Sequence, residues 1–196
     1  MAVFKFSNVG GFGTYQRYND FLAGNPVVNL DKGSMFPLGV VTVATANGEV
    51  TFTNIPQTYT HLQLRGSALG SSAGQDILVQ VNGITAANSY ARHELRGNGT
   101  TATANGNANT TYMDVATNNI DATYPTVFIT DILDYTNTNK NKTIRTLSGG
   151  DRNGAGSVSL FSGVRLATTA ITSIRIYVAS GNINVNSSFA LYGINA

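Results

Sequence analysis

The sequence predicts an all-β chain: an antiparallel β-sandwich or jelly roll preceded by an aromatic-rich N-terminal arm. Three observations carry that expectation. Period-2 alternation of apolar and polar residues recurs from Leu38 onward, and turn-forming pairs such as Asn47-Gly48 and Asn82-Gly83 separate the runs. Only 11% of the 196 residues are charged, against about a quarter in an ordinary soluble domain. Polarity comes instead from Asn, Thr, Ser and 21 Gly, residues that favour strands or supply left-handed turns.

Residues 1–37 stand apart as the arm. Phe4, Phe6, Phe12, Tyr15, Tyr18 and Phe21 crowd its first part, interrupted by Gly10, Gly11, Gly13 and Gly24, and Pro26 and Pro37 punctuate the rest. No steady period runs through it, although 14–23 fits a short helix capped by Thr14 with Tyr15, Tyr18 and Leu22 on one face. An irregular aromatic segment cannot satisfy itself. These six aromatics are therefore the candidate partner or oligomer contacts, either folded back over their own body or docked on a neighbouring subunit.

Residues 38–196 read as the body. Strands are expected at 38–45 and 49–54, joined as a hairpin through Asn47-Gly48. The next is 61–68, with Leu62 and Leu64 inward and His61, Gln63 and Arg65 outward. In 76–82, Ile77, Val79 and Val81 share one face, and Asn82-Gly83 signals a type I′ turn. A less clear strand covers 89–96. Residues 97–110 contain nothing larger than Asn or Thr and read as an exposed, mobile loop. Strands then resume at 111–116, 126–135, 142–149, 157–166, 171–179 and 187–194. About ten short antiparallel strands result, which suits two packed sheets.

Chemistry-bearing groups are sparse. A net charge of +2 without a basic run gives no electrostatic case for nucleic acid or membrane. Zero Cys removes disulfides and thiolate chemistry, and no apolar run approaches a membrane span or a signal peptide's core. His61 and His93 are isolated and read as polar or interface residues rather than a metal site or general base. The acids Asp131 and Asp134 lie close together in sequence, and Asp134, Asn137 and Asn139 offer oxygen ligands for calcium, but the spacing is not that of an EF-hand, and Lys140 and Lys142 oppose a cation. A turn built from Asx side chains is the preferred reading. Asp151 completes no acid pair, and Gly10-Gly-Phe-Gly13 lacks the Lys of a phosphate loop. Tyr59, Tyr90, Tyr112, Tyr124, Tyr135, Tyr177 and Tyr192, set among many Asn, are candidates for sugar stacking, although strand tyrosines also pack at core edges. No catalytic residue, cofactor site or metal site is assigned.

Three blocks resemble a β-domain of tailed-bacteriophage virion proteins, especially those of cyanophages and other marine phages. They are Tyr18-Asn-Asp-Phe-Leu-Ala-Gly-Asn25; Val50 through Ile55-Pro-Gln-Thr-Tyr-Thr-His-Leu-Gln-Leu-Arg-Gly66; and the stretch from Asp134-Tyr135 and Lys142-Thr143 through Ala170-Ile-Thr-Ser-Ile174 to Phe189-Ala-Leu-Tyr-Gly-Ile194. The resemblance implies a non-enzymatic virion structural protein with a β-sandwich body and an oligomeric state, without separating head from tail. The expected role is capsid decoration or cementing, through the arm, on the major capsid protein or other virion proteins. A homotrimer assembled in the host cytoplasm is the expected form. The alternative is a tail-tip or fibre module that recognises a host-surface glycan. A polysaccharide-degrading tailspike fits less well, since no acid pair stands out and the body is short.

Overall fold

The structure, a computed structural model, describes residues 35–195 apart from the side chain of Asn118. The six arm aromatics, Phe4, Phe6, Phe12, Tyr15, Tyr18 and Phe21, therefore lie outside the described residues. The described chain is all-β and contains no helix. Its strands are β1 (Met35–Thr42), β2 (Glu49–Phe52), β3 (His61–Ala68), β4 (Gln75–Val81), β5 (Tyr90–Gly97), β6 (Ala102–Thr110), β7 (Met113–Ile120), β8 (Thr126–Leu133), β9 (Lys142–Asp151), β10 (Gly156–Arg165), β11 (Ile174–Val178) and β12 (Ser188–Ile194).

Side-chain alternation decides how these strands are used. Leu62 and Leu64 of β3, Phe128 and Ile132 of β8, Ile144 of β9, and Phe189 and Leu191 of β12 are buried on one side of an eight-stranded sheet. They belong to one core with Val50 and Phe52 of β2, Ile77, Val79 and Val81 of β4, and Ile174, Ile176 and Val178 of β11. Those three strands sit in a second sheet of four. The larger sheet runs β1-β12-β3-β8-β9-β10-β5-β6 and the smaller β2-β11-β4-β7, with antiparallel pairing throughout. The chain remains within one sheet from β5 to β6 and from β8 through β10. Its other connections cross between the sheets, so most strand neighbours are distant in sequence.

Several local expectations change in this context. The runs around Asn47-Gly48 do not form a hairpin: β1 pairs with β12 in the large sheet, while β2 pairs with β11 in the small one. Asn47 instead exchanges backbone hydrogen bonds with Ile183 (3.0 and 2.7 Å). Residues 35–37, read as the end of the arm, belong to β1. Pro37 is accommodated because β1 is an edge strand and its register shifts between Pro37 and Gly39. Within 97–110 only the turn is loop-like; Asn98 Oδ1 accepts the Thr100 and Thr101 N–H groups (3.0 and 2.8 Å). Ala102–Thr110 is strand β6, laddered to β5 and exposed along nearly all its length.

The Asn82-Gly83 turn does form. Both residues have positive φ (54° and 64°), and the Ile84 N–H donates to the Val81 carbonyl at 3.1 Å. It nevertheless joins strands of different sheets, since β4 pairs with β11 and β7 rather than β5. The β8–β9 hairpin closes as the Asx reading expects. Asp134 has φ 48°, Asn137 N–H donates to the Asp134 carbonyl (3.0 Å), and Asn139 N–H to Asn137 Oδ1 (2.8 Å).

Candidate docking surface

The solvent side of the eight-stranded sheet carries an unusual arrangement. Cross-strand register places Ala104, Leu95, Leu160, Leu147, Ile129, Arg65, Ala190 and Val40 in a single row from β6 to β1. Its five large aliphatic members are between 42% and 66% exposed. Val127 and Val158, both opposite Gly149 one step along the strands, are exposed as well and widen the row. Eight strands at about 4.8 Å spacing make the row roughly 34 Å long.

The backbone turns these aliphatic groups outward because bulkier or bonded neighbours hold the opposite phase. On β10, Phe161 is in the buried phase, and Ser159 beside it donates to Glu94 Oε1 at 3.0 Å. Val158 and Leu160 must then face solvent. On β9, Ile144, Thr146 and Ser148 are buried and leave Leu147 outside; Thr146 shares a 2.8 Å hydroxyl contact with Thr130 of β8. On β8, Phe128 and Ile132 are interior and Val127 and Ile129 exterior.

A polar row runs alongside. His93, Ser162, Arg145, Asp131, Gln63 and Tyr192 are successive cross-strand neighbours. Gln63 Nε2 donates to Asp131 Oδ1 (2.8 Å), and Arg145 lies 3.4 Å from Asp131 Oδ2. Arg65 interrupts the apolar row, and its side chain is held against its neighbours. Its Nε donates to Gln63 Oε1 (2.8 Å), and its guanidinium lies 5.3 Å from the Tyr192 ring centroid. At the other end, an open trough beside Val127 and Val158 is lined by Gly97, Pro125, Gly149 and Asp151 and carries no aromatic ring.

Beneath β5, where β7 packs on β5 and β10, lies a buried polar cluster. Arg92 pairs with Asp114 and stands 3.9 Å from Glu94 Oε2, while Glu94 also accepts from Thr117 and Ser159. Burial raises the Asp114 carboxyl to about 6. Arg92 opposes that shift, and the nearby Asp76 and Glu94 charges add to it. Asp114, Glu94, Thr117 and Ser159 are buried and the Arg92 side chain is only 13% exposed, so the cluster braces the two sheets and presents little to solvent.

The other sequence-selected groups are also engaged in structure. Asp134 N–H donates to His61 Nδ1 at 2.9 Å, which fixes that nitrogen as an acceptor. Lys140 pairs with the Asp134 carboxylate, and Lys142 donates to the carbonyls of Asn137, Lys140 (3.1 Å) and Thr168 (2.9 Å). Burial, then the Arg165 charge, pushes the Lys142 ammonium below its usual range. Of the oxygens in the calcium reading, the Asp134 carboxylate thus holds the Lys140 ammonium and Asn137 Oδ1 accepts the Asn139 N–H. Asp151 Oδ1 accepts from Gly154 N–H (3.0 Å) and closes a turn.

Most of the candidate tyrosines are committed too. Tyr90 and Tyr135 are buried, Tyr59 packs on Phe36 and beside Gly193, and Tyr177 lies under Arg175. Tyr124 is the one counted among the exposed large apolar residues. The apolar row itself was not singled out in the sequence. Its signal was present as apolar residues in both phases of 126–135 and as valine and leucine alternating with serine at 157–160.

Fold and surface together define the class: a two-sheet, all-β protein with a broad aliphatic strip on one outer face. No family model, curated protein or solved structure matches the chain.

Proposed function

We propose that the protein is a non-enzymatic structural component of a tailed-bacteriophage particle, a capsid decoration or cement protein that works as a homo-oligomer. In this reading it attaches to the major capsid protein or another virion protein through the outer face of its large sheet and its N-terminal segment. The single observation that carries the proposal is the Leu95–Leu160–Leu147–Ile129 row with its flanking valines. Large apolar strips of this kind on an otherwise neutral, hydroxyl- and amide-rich surface mark sites of protein association. The uncharged edge strand β6 supports the same reading, because an open strand edge is stabilised by covering it. The sequence resemblance to phage virion domains supplies the particle. The trimer stays a proposal of the same kind, motivated by the aromatic segment and the low charge.

The test is electron microscopy of the parent particle decorated with a gold-tagged antibody against this chain. Gold at regular positions over the head is the expected result. Gold confined to the tail tip would favour the glycan-recognition role. Particles free of gold and of the chain by mass spectrometry would overturn the structural role.

A further inference from the structure

Among the described strands, β6 alone presents a long, unprotected edge. Four strands end the two sheets, β1 and β6 in the larger, β2 and β7 in the smaller. Three of these are guarded against pairing with another chain. β1 carries Pro37, which has no N–H, and its register shifts beside it. β2 is only four residues long, and its Glu49 accepts from Arg175 Nε at 2.6 Å. β7 shifts register twice against β4 and packs across β5, β8, β9 and β10. β6 has no such device. It runs nine exposed or nearly exposed residues, and neither a charged residue nor a Pro occurs between Arg96 and Asp114. Its irregular part, between Asn107 and Thr110 with Asn109 at φ 63°, lies at one end and leaves 102–107 regular.

The hairpin fixes which backbone groups stand open. Asn98 N–H donates to the Thr101 carbonyl (3.2 Å), and the register continues from there as Gly97 opposite Ala102 and Arg96 opposite Thr103. Hydrogen-bonded and non-hydrogen-bonded pairs alternate along an antiparallel ladder. Thr103, Asn105 and Asn107 therefore bond to β5, while Ala102, Ala104 and Gly106 turn their N–H and C=O groups to the free edge. A strand added there must present the same spacing of donors and acceptors. The segment can do this to itself. Antiparallel pairing centred on Ala104 sets Ala104 against Ala104, Ala102 against Gly106, and the Thr103 hydroxyl against the Asn105 amide. All three outward residues of each strand then bond, and no like charges meet.

We propose that β6 pairs antiparallel with β6 of a second copy of this chain, about a two-fold axis at Ala104. The aliphatic row favours a second copy over another protein's strand. Ala104 is itself the β6 member of that row, opposite Leu95. A two-fold axis normal to the sheet keeps the outer faces of both copies on one side, so the two rows join end to end across sixteen strands. Pairing β6 with β1 of the next copy would instead meet Pro37 and build an open filament. The inference rests on the homo-oligomer of the proposed function and names its contact, without drawing on the particle. Its symmetry is two-fold, so any three-fold contact must use another surface.

Sedimentation of the full chain at submillimolar concentration tests the pairing. The wild type is expected at twice the chain mass of 20.6 kDa. Ala104→Glu and Ala104→Lys, substitutions at an exposed position, should each sediment as monomers with an unchanged denaturant midpoint. Mixing the two variants should restore the dimer, because only a residue that faces its own copy is repaired by opposite charges. The absence of Cys allows a second readout. Paired Ala104 Cα atoms would stand about 5.5 Å apart, within disulfide reach, whereas the two Asn107 positions would lie about 20 Å apart along the strands. Under diamide, Ala104→Cys should therefore cross-link at least tenfold more than Asn107→Cys. An oligomer that both charged variants leave intact would overturn this pairing while the homo-oligomer reading stands. Charged variants that stay monomeric when mixed, or equal cross-linking of the two Cys variants, would also overturn it. A monomeric wild type would overturn both.

Discussion

Leu147 of β9 and Leu160 of β10 stand directly opposite each other on the solvent side of the large sheet, each about half exposed. Leu95 and Ile129 flank them in the same row. Because both leucines are about half exposed, their contribution to folding is small. Replacing both leucines with Asn should alter unfolding free energy by no more than about 0.5 kcal/mol per site, the usual range for surface positions. Denaturant titration of the double variant checks this.

The Arg92–Asp114 pair behaves in the opposite way. Asp114 is held at about 6 in the folded protein against an ordinary value of 3.8. Between those values the folded state binds more protons than the unfolded state, so this contribution is fully present below about pH 4 and lost as pH rises through about 6. Stability should therefore rise as pH is lowered from 7 to 5, and Asp114→Asn should flatten that rise. At still lower pH, Asp134 and Asp121 act with the opposite sign. Lys140 holds Asp134 low and the Thr123 N–H holds Asp121 low, so their contributions disappear as pH falls. Urea midpoints from pH 3 to 8 for both chains are the measurement.

Removing the cation should cost more than removing the acid. Arg92→Met leaves Asp114 and Glu94 buried without their shared partner, and breaking such a pair costs about 3–5 kcal/mol. Asp114 should then titrate higher still, steepening the rise in stability on acidification. Thermal unfolding at pH 7 and pH 5 reads both effects.

Asn82 does more than turn the chain. Its Nδ2 donates to the Ala170 carbonyl (2.7 Å), and its Oδ1 accepts from Thr172 N–H (2.8 Å) and Ser173 N–H (3.3 Å). It thereby fastens the end of β4 to the segment leading into β11. Asn82→Ala loses these bonds and places alanine at positive φ, for an expected loss of about 2–3 kcal/mol. Asn82→Gly, which keeps the φ but not the side chain, should recover part of it.

Gly66 faces Phe128 across β3–β8, and a Cβ built there would stand 2.3 Å from the Phe128 ring and 3.0 Å from Phe189. Both rings are buried. Gly66→Ala should therefore destabilise by about 1–3 kcal/mol through overpacking, as a denaturant midpoint would show.

The sequence made the strand content legible because alternation and turn chemistry are local. Leu62 and Leu64 face the core as their period demands, and Asn82-Gly83 makes the turn its residues specify. Strand partners were less legible, since β1 and β2 are neighbours in sequence but belong to different sheets. Strand β6 escaped notice because both its faces are exposed, so no alternation marks it. The docking row was hidden for a subtler reason. At 157–160 the alternation of Val158 and Leu160 with serine points the apolar phase inward, yet Phe161 and the Ser159–Glu94 bond fix the register the other way.

Occupancy of the parent particle by the Leu147→Asn/Leu160→Asn chain tests the attachment face most directly. Purified particles assembled with this variant are expected to carry at least tenfold less of it than of the wild-type chain, while its folding stability is unchanged. Full occupancy by the variant would contradict the account.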